Sequence, residues 1–131
     1  MHSEFKTILF SGTCEAGQSL VLVSHRISTP FQLVDMSFSF ALNTNRLLQI
    51  KPFVSPDASA PASGEPSGFN LFFEYGQALY VTGDDQTKFF KHSFHVSEAG
   101  SFFKIYANNI DVFDHTVDVH ITIQIDSPKE T

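Results

Sequence analysis

The amino-acid sequence predicts an all-β protein, an antiparallel β-sandwich of about eight short strands. Three observations support this prediction. Apolar residues recur at every second position in several runs, which is the period of a strand with one buried face. Turn-forming residues separate the runs, as at Gly83-Asp84-Asp85 and Glu98-Ala99-Gly100. No stretch long enough for an amphipathic helix carries the 3.6-residue apolar period.

The clearest alternation lies near the carboxyl end of the chain. Its apolar positions are Val117, Val119, Ile121, Ile123 and Ile125, and its polar positions are Thr116, Asp118, His120, Thr122 and Gln124. In a helix, Val117 and Val119 would lie about 200° apart, which would scatter the stripe around the surface. All five apolar residues are β-branched and favour extended backbone. The run therefore predicts a strand with one buried face and one wet face.

A second run changes phase part-way along. Its apolar positions are Val34, Met36, Phe38, Phe40 and Leu42, whereas Phe31 and Leu33 just before them occupy the opposite parity. A one-residue β-bulge would bring both halves to the same core. A strand that changes sheets at this point would do the same. The sequence leaves both alternatives open.

Six further strands are predicted from shorter alternations and β-rich composition. They cover Lys6–Ser11, Leu20–Ile27, Leu47–Val54, Ala78–Thr82, Lys88–Val96 and Ser101–Ala107. Because Pro52 cannot donate a ladder hydrogen bond, its strand is expected at a sheet edge or at a bulge. In the last of the six, Phe103, Ile105 and Ala107 share one face, and Phe102, Lys104 and Tyr106 share the other.

The segment 55–68 interrupts this rhythm. It reads SPDASAPASGEPSG and has no side chain expected to anchor in a core. We interpret it as a solvated crossover between the two halves of a Greek-key or jelly-roll sandwich, and the alternative is a binding or subunit-contact loop. The flanking halves are too small to fold alone, so residues 1–131 are expected to form one domain with a tail at 127–131.

Charge and composition exclude several classes of partner. The chain has 131 residues, with 8 basic and 14 acidic residues and a net charge of −6. Without clustered Lys and Arg, it is not expected to bind nucleic acid or an anionic membrane. The single Cys14 cannot form an intrachain disulfide. We see no signal peptide and no apolar run of membrane-spanning length, so we expect a soluble protein, cytoplasmic or assembled into a particle.

The sequence contains no recognisable catalytic motif. Its six histidines form neither H-x-H nor H-E-x-x-H, and His92 and His95 would face opposite sides of a regular strand. G-x-S-x-G and G-x-G-x-x-G are also absent. No metal or cofactor is therefore expected. Calcium held by Asp111 and Asp114 is an alternative to the preferred interpretation of these residues as turn formers.

Two sets of residues are candidates for binding. Polar loop residues with two tyrosines could hold a small ligand or a glycan, and the candidates are Tyr80, Asp84, Asp85, Tyr106, Asn108, Asn109, Asp111, Asp114 and His115. The chain has 15 Phe, most of which are expected in the core, and the absence of Trp argues against a typical sugar platform. Phe73, Phe89 and Phe102 lie off their strands' apolar parity or in a loop, so they are candidates for a subunit or partner interface.

The strand arrangement resembles a jelly-roll sandwich, a fold that recurs in virus and phage particles, carbohydrate-binding modules and cupins. The favoured function is a non-catalytic interaction module that self-associates, as a structural or accessory subunit of a larger assembly such as a particle or surface structure. Its partner would be a second copy or another protein. The first alternative is a small-ligand or carbohydrate-binding module. The second is a cupin-like metal enzyme, which the missing H-x-H makes the least favoured.

Overall fold

Eight strands form the framework of the described part of the chain. The computed structural model describes residues 2–61, 64–72, 80–97 and 99–127. The strands are β1 (His2–Cys14), β2 (Ser19–Val23), β3 (Phe31–Phe40), β4 (Leu48–Ser55), β5 (Phe69–Asn70), β6 (Gln86–Val96), β7 (Phe102–Asn109) and β8 (His115–Ser127). No helix among these residues has both the length and the apolar character needed to cross a membrane.

The strands form two antiparallel sheets with jelly-roll connectivity. The first sheet has the order β1-β8-β3-β6, and the second has the order β2-β7-β4-β5. Strand β1 pairs with β8, β2 with β7, β3 with β6, and β4 with β5, as if one long hairpin had been wound into two layers. The predicted fold class, an antiparallel sandwich of jelly-roll type with about eight strands, is confirmed.

The core lies between the two sheets and is built from the predicted alternations. On β8, Val117, Val119 and Ile121 are fully buried. Aromatic rings from opposite sheets meet in the same layer, and the Phe31 and Phe103 ring centroids lie 5.2 Å apart. The period of two therefore places one side of each long strand in a shared apolar interior.

A bulge in β3 explains the phase change in its sequence. Strand pairing shifts register between Leu33 and Asp35, against both β6 and β8. Val34 absorbs the shift, and Leu33 and Met36 on either side of it are both buried. Of the two alternatives, the bulge is therefore the one observed, and the strand stays in the first sheet.

Two predicted strands differ from the structure. Residues 78 and 79 lie outside the described residues, and in the described part of Ala78–Thr82 only Val81 pairs, in an isolated bridge with Ile50. Strand β2 ends at Val23. Beyond it, the Ser24 amide still donates to the Phe103 carbonyl, and Ile27 forms an isolated bridge with Ser101. Local alternation cannot predict how many residues of a stretch pair with the neighbouring chain.

Pro52 lies next to the edge of its sheet. Its carbonyl accepts a hydrogen bond from Leu71, and Ile50 bonds to Val81 on the same side of β4. The missing N–H of Pro52 therefore faces the short β5 side, whereas the ladder with β7 on the other side of β4 is continuous from Leu48 to Ser55. The expectation of an edge or bulged strand is therefore wrong, since β4 lies between β7 and β5 and keeps one register against β7. The sheet tolerates the missing N–H because it faces the two-residue strand β5.

The segment 55–68 is anchored, contrary to the expectation from its composition. It joins β4 to β5, where the two halves of the chain meet, and both strands belong to the second sheet. The Nζ of Lys104 donates to Asp57 Oδ1 at 2.7 Å and also to the hydroxyls of Ser59 and Ser67. Lys104 is fully buried, although its neighbours Phe103 and Ile105 occupy the core side of β7. The described residues of the segment thus cover the outer face of the second sheet around Lys104.

Candidate functional site

Loops that contain four of the nine predicted ligand-binding residues, Asp84, Asp85, Asp111 and Asp114, meet at one end of the sandwich. They are the β1–β2 turn at 15–18, the β3–β4 loop at 41–47, the residues 83–85 before β6 and the β7–β8 loop at 110–114. Main-chain hydrogen bonds join them, from Arg46 to Gly83, from Asp85 to Ala41 and from Ile110 to Leu47. We call this region the loop end.

The β3–β4 loop adopts an uncommon backbone shape. Asn43, Asn45 and Arg46 all have positive φ angles, of 74°, 53° and 61°. Asparagine tolerates this left-handed region, whereas a long side chain such as arginine seldom occupies it. The neighbouring loop compensates, since Asp84 Oδ1 accepts a hydrogen bond from the Asn45 amide and Gly83 accepts one from Arg46. Asp84 thus has a structural contact at this end.

A cavity of about 460 Å³ opens between the β3–β4 and β7–β8 loops. One wall contains Leu42, Asn43 and Asn45, and the other contains Asp111, Phe113, Asp114 and His115. Phe113 is 69% exposed. An aromatic face beside amide and carboxylate groups could bind a polar organic ligand through ring contact and hydrogen bonds.

Asp111 and His115 form the strongest polar contact in this cavity. His115 Nε2 lies 2.7 Å from Asp111 Oδ2, and both side chains are largely buried. The hydrogen bond from His115, followed by that from the Val112 amide, holds the pKa of Asp111 below its usual range. Asp114 Oδ1 accepts the Ala16 amide at 2.9 Å and so ties the β1–β2 turn to this loop.

The candidate metal ligands already have protein partners. Asp111 Oδ1 accepts from Val112 and Oδ2 contacts His115, so each of its oxygens is engaged. Among the described residues, no group of three or more His, Cys, Asp or Glu side chains is placed to hold a metal ion. The side chain of His92 lies outside the described residues.

Cys14 is buried at the end of β1. Burial raises the pKa of its thiol, whose Sγ donates to the Gln18 carbonyl.

Asn109 has a structural position, which differs from the expected ligand contact. It is buried, its Nδ2 donates to the carbonyls of Cys14 and Phe113, and its Oδ1 accepts from the Asp111 amide. Asn108 is half-buried and pairs with Ser19 and Gln49 in the second sheet. Neither asparagine lines the cavity.

The two candidate stacking tyrosines lie away from the cavity. Tyr106 is only 8% exposed, and Lys51 Nζ sits 5.8 Å from its ring centroid, so the expected open stacking face is not present. The segment 55–68 covers this side of β7. Tyr80 is 42% exposed but lies outside the cavity, and Asp85 is exposed with a φ of 48°.

The candidate interface phenylalanines have different surroundings. Phe89 is 75% exposed on β6, Phe102 is half-buried on β7, and Phe73 lies outside the described residues. Sequence reasoning missed Phe5 and Leu9 of β1, each 66% exposed. Both parities of β1 contain large apolar residues, with Ile8 and Phe10 on the core side, so alternation alone could not tell the exposed face from the buried one.

Phe5, Leu9 and Phe89 all lie on the outer face of the first sheet. Strand register places Leu9, His120, Ser37 and Phe89 in one row across the four strands. Three strand spacings separate Leu9 from Phe89, a distance of about 14 Å. Between Leu9 and Phe89 the row is polar, so the outer face of the first sheet has apolar margins and a hydrophilic centre.

The chain matches no protein-family model and no curated protein. Among solved structures, it is similar to a chain of infectious bursal disease virus Gx strain, with 10% identity, 98% coverage of this chain and a TM-score of 0.44. The match covers 33% of that chain, so this protein spans about a third of its length. The chain is also similar to a family two carbohydrate esterase from Cellvibrio japonicus, with 10% identity and a TM-score of 0.40. That match covers 99% of this chain and 37% of the esterase chain. A chain of the cyanophage Pam1 capsid asymmetric unit is similar with 16% identity and a TM-score of 0.39, and the match covers 95% of this chain and 84% of that chain.

Proposed function

We propose that this protein is a non-catalytic jelly-roll module that self-associates, as a structural or accessory subunit of a larger assembly. The observation that carries the proposal is the exposure of Phe5, Leu9 and Phe89 on the outer face of the first sheet, each by two thirds or more. Single exposed apolar residues are ordinary. Three large ones on one sheet face favour a contact surface, because aromatic and aliphatic groups gain most from burial in an interface.

The proposed assembly is tested by light scattering coupled to size exclusion. We expect a mass that is a multiple of 14.6 kDa and that rises with protein concentration. The combined Phe5→Ser, Leu9→Ser and Phe89→Ser variant is expected to lower this mass, because it removes the apolar area that association would bury.

The matched control carries Val112→Ser and Phe113→Ser at the loop end, where both side chains are similarly exposed. It should associate like the unmodified protein. A protein that stays at 14.6 kDa at every concentration would overturn the proposal.

Binding of a small polar ligand or glycan at the loop end is the second candidate function. The cavity beside Phe113, Asp111 and Asn43 favours it. Thermal-shift measurements against a sugar panel, followed by a glycan array, test this function. We expect Phe113→Ala to abolish a shift seen with the unmodified protein and Val112→Ala, outside the cavity lining, to preserve it. No shift with any sugar, together with a silent array, would contradict the glycan candidate.

A further inference from the structure

Strand β1 is an open sheet edge with unusual properties. It pairs with β8 over all 13 residues from His2 to Cys14, without a register shift. On its other side, the described residues supply no neighbouring strand. Natural edge strands are commonly short, bulged, charged or interrupted by proline, because a long regular edge can pair with another chain.

The other edge strands have these protective features. Strand β5 has 2 residues and β2 has 5. Strand β6 is longer, but its pairing with β3 shifts register, and Lys88 and Lys91 lie on it. Within the described residues, β1 is thus the long edge that keeps one register throughout.

We propose that β1 pairs antiparallel with β1 of a second copy, about a two-fold axis at Thr7, so that the first sheets of the two copies become continuous. This inference rests on the proposed self-association and names the surface that performs it. Main-chain hydrogen bonds would join the copies, as they do when a strand is added to a sheet edge. The contact would be isologous, since the same strand serves both partners.

The pattern of side chains selects Thr7 as the centre. An axis through a residue keeps the outer face of one copy beside the outer face of the other, whereas an axis between residues would place outer and core positions opposite each other. With the axis at Thr7, Phe5 of each copy lies opposite Leu9 of the other, so both exposed apolar side chains gain a cross-strand partner. An axis at Lys6 would instead place like charges directly opposite, which is destabilising.

Space and charge both favour approach at this edge. A groove of about 450 Å³ runs between Lys6–Leu9 of β1 and the segment 24–29, so solvent reaches the edge. The chain has a net charge of −6, but β1 contains one acidic residue, Glu4, and one basic residue, Lys6. Two copies of this acidic protein therefore meet with little repulsion along β1.

Disulfide trapping tests the axis. In the proposed dimer, the Cβ atoms of the two Thr7 residues lie about 5 Å apart, close to the separation that a disulfide bridges. We expect the Thr7→Cys variant to form a covalent dimer under mild oxidation. Thr7 is exposed, so the substitution leaves the core intact.

The matched control is Ser11→Cys, on the same exposed face of the same strand. Its two copies would lie about 27 Å apart, eight residues of strand rise, so no cross-link is expected. The buried Cys14 is present in both variants and cancels from the comparison. Equal cross-linking of the two variants, or a cross-link in Ser11→Cys alone, would overturn the proposed register.

A second pair of variants separates this inference from the proposed function. Leu9→Lys is expected to dissociate the dimer in light scattering, whereas Phe89→Ser, at the opposite edge of the same face, should leave the Thr7→Cys cross-link at full yield. Circular dichroism and the melting temperature verify that each variant is folded. An oligomer that forms no Thr7→Cys dimer and withstands Leu9→Lys would overturn the β1 contact alone. A strict monomer would overturn both proposals.

Discussion

Asn109 uses its whole side-chain amide to connect three parts of the fold. Both N–H groups donate to main-chain carbonyls, one at the end of β1 and one in the β7–β8 loop, while the amide oxygen accepts from Asp111. All of this occurs at a position that is almost completely buried. Asn109 therefore holds the β7–β8 loop against the end of β1 and does not face the cavity at the loop end.

Replacing this residue tests its structural role. Asn109→Ala is expected to lower the free energy of unfolding by about 1–3 kcal/mol, because it leaves buried carbonyls without donors. The neighbouring Asn108→Ala, at a half-buried position, should change stability by about 0.5 kcal/mol or less. Urea unfolding of both variants measures the difference. Equal effects would contradict the assigned role of Asn109.

The two asparagines also mark how far the sequence predicts the candidate site. The loop that contains Asp111 and Asp114, with His115 at the start of β8, could be identified, because Asn and Asp cluster between two strand patterns. Asn109 and Asn108 are chemically identical, and only the carbonyls of Cys14 and Phe113 around the first distinguish them. Those partners depend on how β1 and β7 pack, which local spacing does not contain.

At the level of elements, the segment 55–68 is held on its sheet by a buried cation. Hydrogen bonds from Lys104, then from Ser59, keep the pKa of Asp57 far below its usual range. The ionised carboxylate therefore stabilises the fold at neutral pH. This contribution declines as the pH falls below the ordinary value of 3.8, because the unfolded chain then takes up a proton that folded Asp57 does not.

Asp57→Asn tests this attachment through its pH dependence. In urea unfolding, the variant should be less stable than the unmodified protein at neutral pH, and the gap should narrow at about pH 3. Glu65→Gln is the control, since Glu65 lies on the same segment and pairs with Lys51 at 3.2 Å while remaining half-exposed. Glu65→Gln should lower the free energy of unfolding by less than about 1 kcal/mol. If the difference in free energy of unfolding between Asp57→Asn and the unmodified protein did not change with pH, the stabilising contact between Asp57 and Lys104 would be contradicted.

Composition could not have revealed this element's anchor. The small and polar residues of the segment predict solvent exposure, and most of them are indeed exposed. Lys104 alternates with core residues on β7, so its position predicts an outward side chain, and it does point outward. Local patterns do not show that the segment 55–68 covers Lys104, because this depends on a contact between Asp57 and Lys104, which are 47 positions apart.

For the molecule as a whole, alternation predicts the architecture but not the strand order. Each long stripe identifies a strand and its buried face. The change of phase at Val34 allows either a bulge or a change of sheets, and only the strand pairing shows that it is a bulge. The pairing of β1 with β8 joins His2 to Ser127 and has no local signature. Phe5 and Leu9 are exposed because their parity on β1 points to the outer face of the first sheet, opposite Ile8 and Phe10 on the core side. Among the described residues, β1 is an edge strand because β8 alone pairs with it in that sheet.

The covered lysine has a practical consequence for chemical labelling. Lys6 and Lys91 are exposed to a water-soluble acylating reagent, whereas the amine of Lys104 lies sealed beneath Asp57, Ser59 and Ser67. Mass spectrometry of the acylated protein would therefore distinguish two populations of amines. The rate at which Lys104 becomes modified would report how often the covering segment lifts from its sheet.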